Sequence, residues 1–123
     1  MGAFYIMKYF GKAGAGGGTL FIGRGVVVGT DIQGAKLDGT YNVIDDRMKG
    51  VVRMTSPASG ATLVTGQTLP PGKEIDLNFD FPAHNFADGN WYPMTGYGEQ
   101  PLMVSFEKVR DLADEGSEFH SAR

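Results

Sequence analysis

The sequence predicts an all-β protein whose antiparallel strands close into a small eight-stranded β-barrel. Three observations support this prediction. Short apolar runs bounded by glycine, proline, aspartate and asparagine recur about every 8–12 residues. The segment EIDLNFDFP, residues 74–82, alternates apolar and polar side chains with a strict period of two. A helical period is almost absent. These features fit a barrel or a sandwich, and one apolar face per strand favours the barrel.

The length of 123 residues is typical of a single domain. We assign the barrel to residues 1–112 and a short C-terminal tail or helix to residues 113–123. Helical structure is expected at most within residues 107–118, where Gly116 limits it. The eight predicted strands are residues 4–10, 19–22, 25–29, 41–44, 51–55, 61–69, 74–82 and 101–109.

The glycine-rich stretch AGAGGG, residues 13–18, could be a phosphate-binding loop or a bend between strands. A dinucleotide fingerprint requires a third glycine where Thr19 stands, and a helix where a strand pattern follows. A P-loop requires lysine after the glycines, whereas Lys12 precedes them. We therefore predict a flexible connection between the first two strands. Asp38-Gly39 is predicted to form another turn.

Composition argues against several classes of function. The net charge of -3 offers no basic surface for nucleic acid or for an anionic membrane. The absence of cysteine excludes disulfides, thiolate nucleophiles and thiolate metal ligands. No apolar run approaches the ~18 residues of a membrane helix. We expect a cytoplasmic protein that binds neither nucleic acid nor a membrane.

Candidate catalytic residues are few. His84 has no second histidine at metal-ligand spacing, so an ordinary loop histidine is the favoured interpretation. Glu74, Asp76 and Asp80 share the strand face opposite the apolar residues, whereas acid–base catalysis requires burial to adjust a carboxyl pKa. No serine lies in a G-x-S-x-G motif. We expect no catalytic residue, metal or cofactor, and hence no enzyme.

The predicted barrel interior is a candidate site for a small apolar ligand. The candidate ligand-binding residues are Leu77, Phe79, Phe81, Trp91, Tyr92 and Phe106. Trp91 and Tyr92 belong to the long irregular segment 83–100, and segments of this kind are often functional. They could cover a mouth of the barrel, or they could plug its end and complete the core. Both alternatives stay open.

Asp45, Asp46 and Arg47 lie at the predicted tip of a hairpin and form a candidate partner-binding site. Aspartate is common in solvated turns, so a plain surface turn is the alternative. Exposed carboxylates can also contact a basic partner.

Three stretches, in this order, resemble the GrlR-like family of negative regulators of bacterial type III secretion genes. They are GRGVVVGTDIQGAKLDGTYNV, DDRMKGVVRMT and LMVSFEKVRDL, residues 23–43, 45–55 and 102–112. The resemblance implies a lipocalin-like eight-stranded barrel that is often a homodimer. In that family an exposed acidic run contacts a transcriptional activator and blocks it, and the matching hairpin here is Asp45-Asp46-Arg47.

Residues and resemblance together predict a non-catalytic regulatory protein that acts as a negative regulator by contacting another protein, through its hairpin or its dimer face. The alternative is lipocalin-like binding of a small apolar molecule or lipid inside the barrel. The two functions can coexist.

Overall fold

A computed structural model of the chain describes residues 2–95 and 101–112. Eight antiparallel strands close into a barrel, which confirms the predicted fold class, and two further short strands form a separate hairpin. In chain order the strands are β1 (Gly2–Gly11), β2 (Gly14–Gly23), β3 (Val26–Asp31), β4 (Lys36–Ile44), β5 (Arg47–Thr55), β6 (Ala61–Thr62), β7 (Thr68–Leu69), β8 (Glu74–Pro82), β9 (Tyr92–Thr95) and β10 (Leu102–Leu112).

The barrel strands follow one another around the circle in chain order, as in an up-and-down barrel. Each strand pairs antiparallel with the next, and β10 pairs with β1 to close the circle. The chain leaves the circle between β5 and β8, where residues 56–73 contain the β6–β7 hairpin.

The antiparallel order places the connections alternately at two ends of the barrel. The first end, here called the aromatic end, contains the turns 24–25 and 45–46 and the loop 83–91. The second end, here called the polar end, contains the connections 12–13, 32–35 and 56–73.

The barrel interior is built from alternate residues of each strand. On β8, Ile75, Phe79 and Phe81 are buried and Leu77 is half-buried, while the residues between them face outward. The strict alternation predicted for residues 74–82 is thereby confirmed. Within the described ranges, no helix is long and apolar enough to cross a membrane.

The predicted outer face of β8 is also confirmed. Arg47 on β5 approaches Asp80 to 2.8 Å, and Arg53 approaches Asp76 to 3.1 Å. Glu74 lies 3.9 Å from Arg53. These carboxylates are exposed and form cross-strand ion pairs.

The glycine-rich stretch is the first half of strand β2, so the predicted flexible connection is wrong. It pairs with β1 in continuous register, and the turn is confined to residues 12–13. A Cβ atom on Gly18 would lie 2.2 Å from the Thr30 carbonyl oxygen. One on Gly16 would lie 2.7 Å from the Tyr9 ring. Glycine is required here because other chain segments approach closely, which spacing along the sequence does not reveal.

Two other predictions are wrong for related reasons. Asp38-Gly39 forms no turn, since both residues lie inside β4 and pair in register with β5. Glycine at position 39 allows a close approach instead, because a Cβ atom there would lie 2.3 Å from the Val51 carbonyl oxygen. Residues 61–69 do not form one strand. They fold back on themselves as β6 and β7, with Gly66 in the turn at a φ of 96°.

The C-terminal segment extends the sheet further than predicted. Residues 107–112 continue β10 and pair with β1, so a helix does not begin at residue 107. The tail assigned to residues 113–123 lies outside the described residues. The segment 83–100, expected to be irregular, contributes the short strand β9.

Candidate ligand-binding cavity

The barrel encloses a cavity of about 70 Å³. Its wall is almost wholly apolar and includes the side chains of Met7, Met48, Met54 and Met94. Leucine, isoleucine, valine and phenylalanine side chains supply most of the rest. Methionine is flexible and polarisable, so such a wall can adapt to apolar molecules of different shapes.

Aromatic rings close the cavity at the aromatic end. The short strand β9 pairs with β8 at Asn78 and Phe79 and with β10 from Leu102 to Val104. β8 and β10 continue past this pairing, and Phe86 of the loop 83–91 packs against the cavity-lining rings of Phe81 on β8 and Phe106 on β10. The Phe86 ring lies 5.0 Å from Tyr5, 5.3 Å from Phe106 and 6.5 Å from Phe81, measured between ring centroids.

Asp88 organises the loop that carries Phe86. Its carboxylate accepts hydrogen bonds from the Asn90 backbone nitrogen at 2.9 Å and from the Tyr92 hydroxyl at 2.9 Å. These bonds, the backbone bond foremost, lower the pKa of Asp88 below its usual value. Since Tyr92 begins β9 and packs on Phe81, the loop is fixed to the wall.

A hydrogen bond across β2 marks the polar end. The Tyr9 hydroxyl of β1 donates to Asp31 Oδ2 of β3 at 3.1 Å. The strand between them presents Gly16 and Gly18 at this level, and neither carries a side chain that would stand in the way. The glycine-rich half of β2 is therefore the surface over which Tyr9 reaches Asp31.

Asp31 is buried, with 7% of its surface exposed. Its Oδ1 accepts hydrogen bonds from the backbone nitrogens of Gln33 at 2.9 Å and Ala35 at 3.0 Å. Burial, with the neighbouring Asp31 carboxylate next in importance, raises the pKa of Tyr9 well above its usual value. Tyr9 therefore stays protonated and donates a hydrogen bond to Asp31.

The excursion 56–73 covers the polar end. Leu63 and Val64 line the cavity, and the Val64 carbonyl oxygen accepts a hydrogen bond from the Ala13 nitrogen at 2.7 Å. The Gln33 side-chain nitrogen donates a hydrogen bond to the Thr62 carbonyl oxygen at 2.9 Å, and its oxygen accepts one from the Thr62 nitrogen at 3.1 Å. Ala61 and Leu69 of this cover also belong to the hydrophobic core.

Four of the six predicted ligand-binding residues line the cavity, and two do not. Leu77, Phe79, Phe81 and Phe106 line the cavity. Tyr92 is not among the lining residues and supports the wall by packing on Phe81, with ring centroids 5.5 Å apart.

Trp91 does not cover a mouth of the barrel. It lies on the outer surface with its ring 4.8 Å from Phe10, and it is 43% exposed. The physical reason is that Trp91 precedes β9 by one residue, and alternation turns its side chain outward while Met94 points inward.

The acidic hairpin tip is a two-residue turn. Asp45 and Asp46 have φ values of 52° and 62°, which fit a type I′ turn, and both side chains are exposed. Arg47 belongs to β5 and is engaged with Asp80. His84 is exposed, with its Nε2 atom 3.8 Å from Asp46 Oδ1.

Sequence reasoning missed the polar group formed by Tyr9, Asp31 and Gln33. The sequence carried a signal for it. Asp31 lies four residues after the inward-facing Val27, so alternation turns Asp31 inward as well, on a strand whose inner face is otherwise apolar. A charged residue at an inward position indicates a special environment, and alternation alone would have located it.

Within residues 2–95 and 101–112, no group of three histidine or carboxylate side chains could hold a metal ion. A comparison of the chain with protein-family models, curated proteins and solved structures finds no match.

Proposed function

We propose that this protein binds a small apolar molecule inside the barrel, a lipocalin-like use of the fold and not a catalytic one. The observation that carries the proposal is the apolar cavity inside the barrel, lined by side chains of its strands. Protein interiors pack tightly, and an unfilled apolar space forfeits contacts that a ligand can restore. An engineered apolar cavity in another protein stays dry and binds benzene.

The size of the cavity limits the ligand. About 10–15 Å³ of such space accommodates one water, so 70 Å³ accommodates about five to seven groups of that size. A six-carbon chain gains about 0.8 kcal/mol per buried methylene, near 5 kcal/mol before the cost of association. We therefore expect six-carbon probes to bind no more tightly than about 0.3 mM, since the cost of association is still to be subtracted from this gain.

The test uses protein labelled with ¹³C at its methionine methyl groups and titrated with neutral 1-hexanol. Shifts are expected at Met7, Met48, Met54 and Met94, while Met103, which does not line the cavity, serves as an internal control. Native mass spectrometry of freshly purified protein asks in addition whether a ligand is retained.

Leu77→Phe, which fills the cavity, should abolish binding. Val51→Phe adds the same ring on the outer face of β5 and should leave binding unchanged. Saturable shifts confined to surface residues, or equal binding by both variants, would contradict the proposal.

A second candidate function is contact with another protein through the hairpin tip. The exposed carboxylates of Asp45 and Asp46 adjoin the exposed apolar side chains of Val43 and Ile44. Acidic and apolar groups side by side suit a partner with basic and apolar groups. With the GrlR-like resemblance, this favours a regulatory protein, such as a transcriptional activator, as the partner, and a homodimer as the assembly.

This second function is tested by co-purification from the cells that express the protein. Asp45→Lys with Asp46→Lys should lose a partner that wild type captures. Asp38→Lys with Glu107→Lys changes the net charge equally at exposed positions elsewhere and should keep it. Sedimentation of the purified protein tests the homodimer, and a partner retained by the tip variant excludes the hairpin as its site.

A further inference from the structure

Three polar side chains interrupt the apolar wall of the cavity, and all lie at the polar end: Tyr9, Asp31 and Gln33. The Gln33 amide faces Thr62, since its nitrogen donates one hydrogen to the Thr62 carbonyl oxygen and its oxygen accepts from the Thr62 nitrogen, which leaves one N–H of the amide without a bond to Thr62. The polar groups that the barrel strands themselves present to a ligand are the Tyr9 hydroxyl and the Asp31 carboxylate.

The hydrogen bonds of these two groups determine what a ligand must offer. Asp31 Oδ1 accepts two backbone N–H groups, and Oδ2 accepts the Tyr9 hydroxyl. A carboxylate has about four acceptor positions, so about one is open on Asp31, and the Tyr9 oxygen can accept as well. Neither group has a further hydrogen to donate. A polar ligand group at this point must therefore be a donor.

The charge of the Asp31 carboxylate limits which polar group a ligand can place beside it. Asp31 brings a carboxylate into an apolar cavity, and among the described residues no lysine or arginine forms an ion pair with it. A buried carboxylate is stabilised by a nearby positive charge and destabilised by a negative one. An ammonium group supplies both donors and positive charge, a hydroxyl supplies a donor alone, and a ligand carboxylate supplies neither.

We propose that the ligand of this cavity is a small apolar amine, with its ammonium group against Tyr9 and Asp31 and its hydrocarbon part among the four cavity methionines. This inference rests on the proposed ligand-binding function and adds the chemical class of the ligand. Gly16 and Gly18 are part of the site, because they permit the contact between Tyr9 and Asp31.

The test compares three six-carbon ligands at neutral pH by the methionine methyl shifts of wild-type protein: hexylamine, 1-hexanol and hexanoate. We expect hexylamine to bind at least about tenfold more tightly than hexanoate, with 1-hexanol between them. A nuclear Overhauser contact should join the amine-bearing methylene of hexylamine to the Tyr9 ring. Hexanoate binding as tightly as hexylamine, or an amine placed beside Phe86, overturns the inference.

The same series separates this inference from the function on which it rests. Equal binding of all three ligands in the cavity removes the amine preference and leaves apolar ligand binding in place. Binding of none of them removes both.

Asp31→Asn provides the residue-level test. The preference for hexylamine over hexanoate should shrink to within about twofold, because the charge is lost while a side-chain oxygen remains for the turn. Asp38→Asn removes the same charge from the exposed face of β4 and should keep the preference. A preference that survives in folded Asp31→Asn overturns the inference. Should that variant not fold, the wild-type ligand series decides.

Discussion

The aromatic end and the polar end of the barrel are closed in different ways. Phe86 closes the aromatic end by packing its ring against Tyr5, Phe81 and Phe106. At the polar end, Leu63 and Val64 of the excursion 56–73 line the cavity, and hydrogen bonds join Tyr9 to Asp31 and Gln33 to Thr62. Ring packing buries much apolar surface without selecting a ligand, whereas directional polar groups select by charge and donor pattern. We infer that the first end supplies stability and the second supplies selectivity.

The largest effect is expected from Phe86→Ala. Removing a ring that is 6% exposed should lower the free energy of unfolding by about 3–5 kcal/mol, measured by urea denaturation. Trp91→Ala is the control, since among residues 2–95 and 101–112 this exposed ring pairs with Phe10 alone, and its loss should cost no more than about 1.5 kcal/mol. Equal losses would mean that Phe86 does not close the aromatic end.

Gly16→Ala tests the polar end. A Cβ atom 2.7 Å from the Tyr9 ring should displace that ring and cost about 1–3 kcal/mol of unfolding free energy. Gly14→Ala places the same methyl group on the same strand with nothing within 4 Å, and should change stability by at most about 0.5 kcal/mol. If both variants behave alike, the glycine surface under Tyr9 is not required.

The pH dependence of stability should distinguish Tyr9. Its pKa is raised in the folded state from 10.0, chiefly by burial, so above pH 10 the unfolded chain loses this proton first. The resulting stability is complete below pH 10 and falls as the pH rises toward the raised value. The slope from a partly exposed group should be less than about 1.4 kcal/mol per pH unit.

Tyr9→Phe should flatten that decline in urea denaturations from pH 9 to pH 11. Tyr92→Phe is the matched comparison: burial and the hydrogen bond to Asp88 raise the pKa of Tyr92 as well, but Tyr92 is less buried than Tyr9, so this substitution should flatten the decline less. If Tyr9→Phe leaves the slope of unfolding free energy against pH unchanged, the ionisation of Tyr9 does not contribute to the loss of stability at high pH.

The smallest effect concerns the hairpin tip at the aromatic end. Asp45→Asn with Asp46→Gly introduces the residues that a turn with two positive φ values prefers, and should raise stability by about 0.5 kcal/mol. The Ala83 nitrogen bonds to the Asp46 carbonyl oxygen, which the substitution keeps. A loss of stability would show that the carboxylates hold the tip, for example through His84 at 3.8 Å.

Much of the barrel could be predicted because each strand carries its own pattern. The alternation of residues 74–82 identified β8 and its inner face. That face supplies four of the residues that line the cavity: Ile75, Leu77, Phe79 and Phe81. Trp91 and the glycines at positions 14–18 could not be placed in the same way. Their roles depend on contacts with β1 and β3. The composition of a segment does not predict how closely another strand approaches it.

The sequence by itself determined the all-β class, the inward side of the strands and the exposed acidic tip. These follow from local rules, because side-chain alternation and turn preference act over a few residues. The tertiary structure decided the aromatic closure by Phe86, the path of Tyr9 across Gly16 and Gly18, and the meeting of Tyr9 with Asp31, which lies 22 residues away along the chain. Such contacts depend on barrel closure and register, which set distances between strands that no single segment contains.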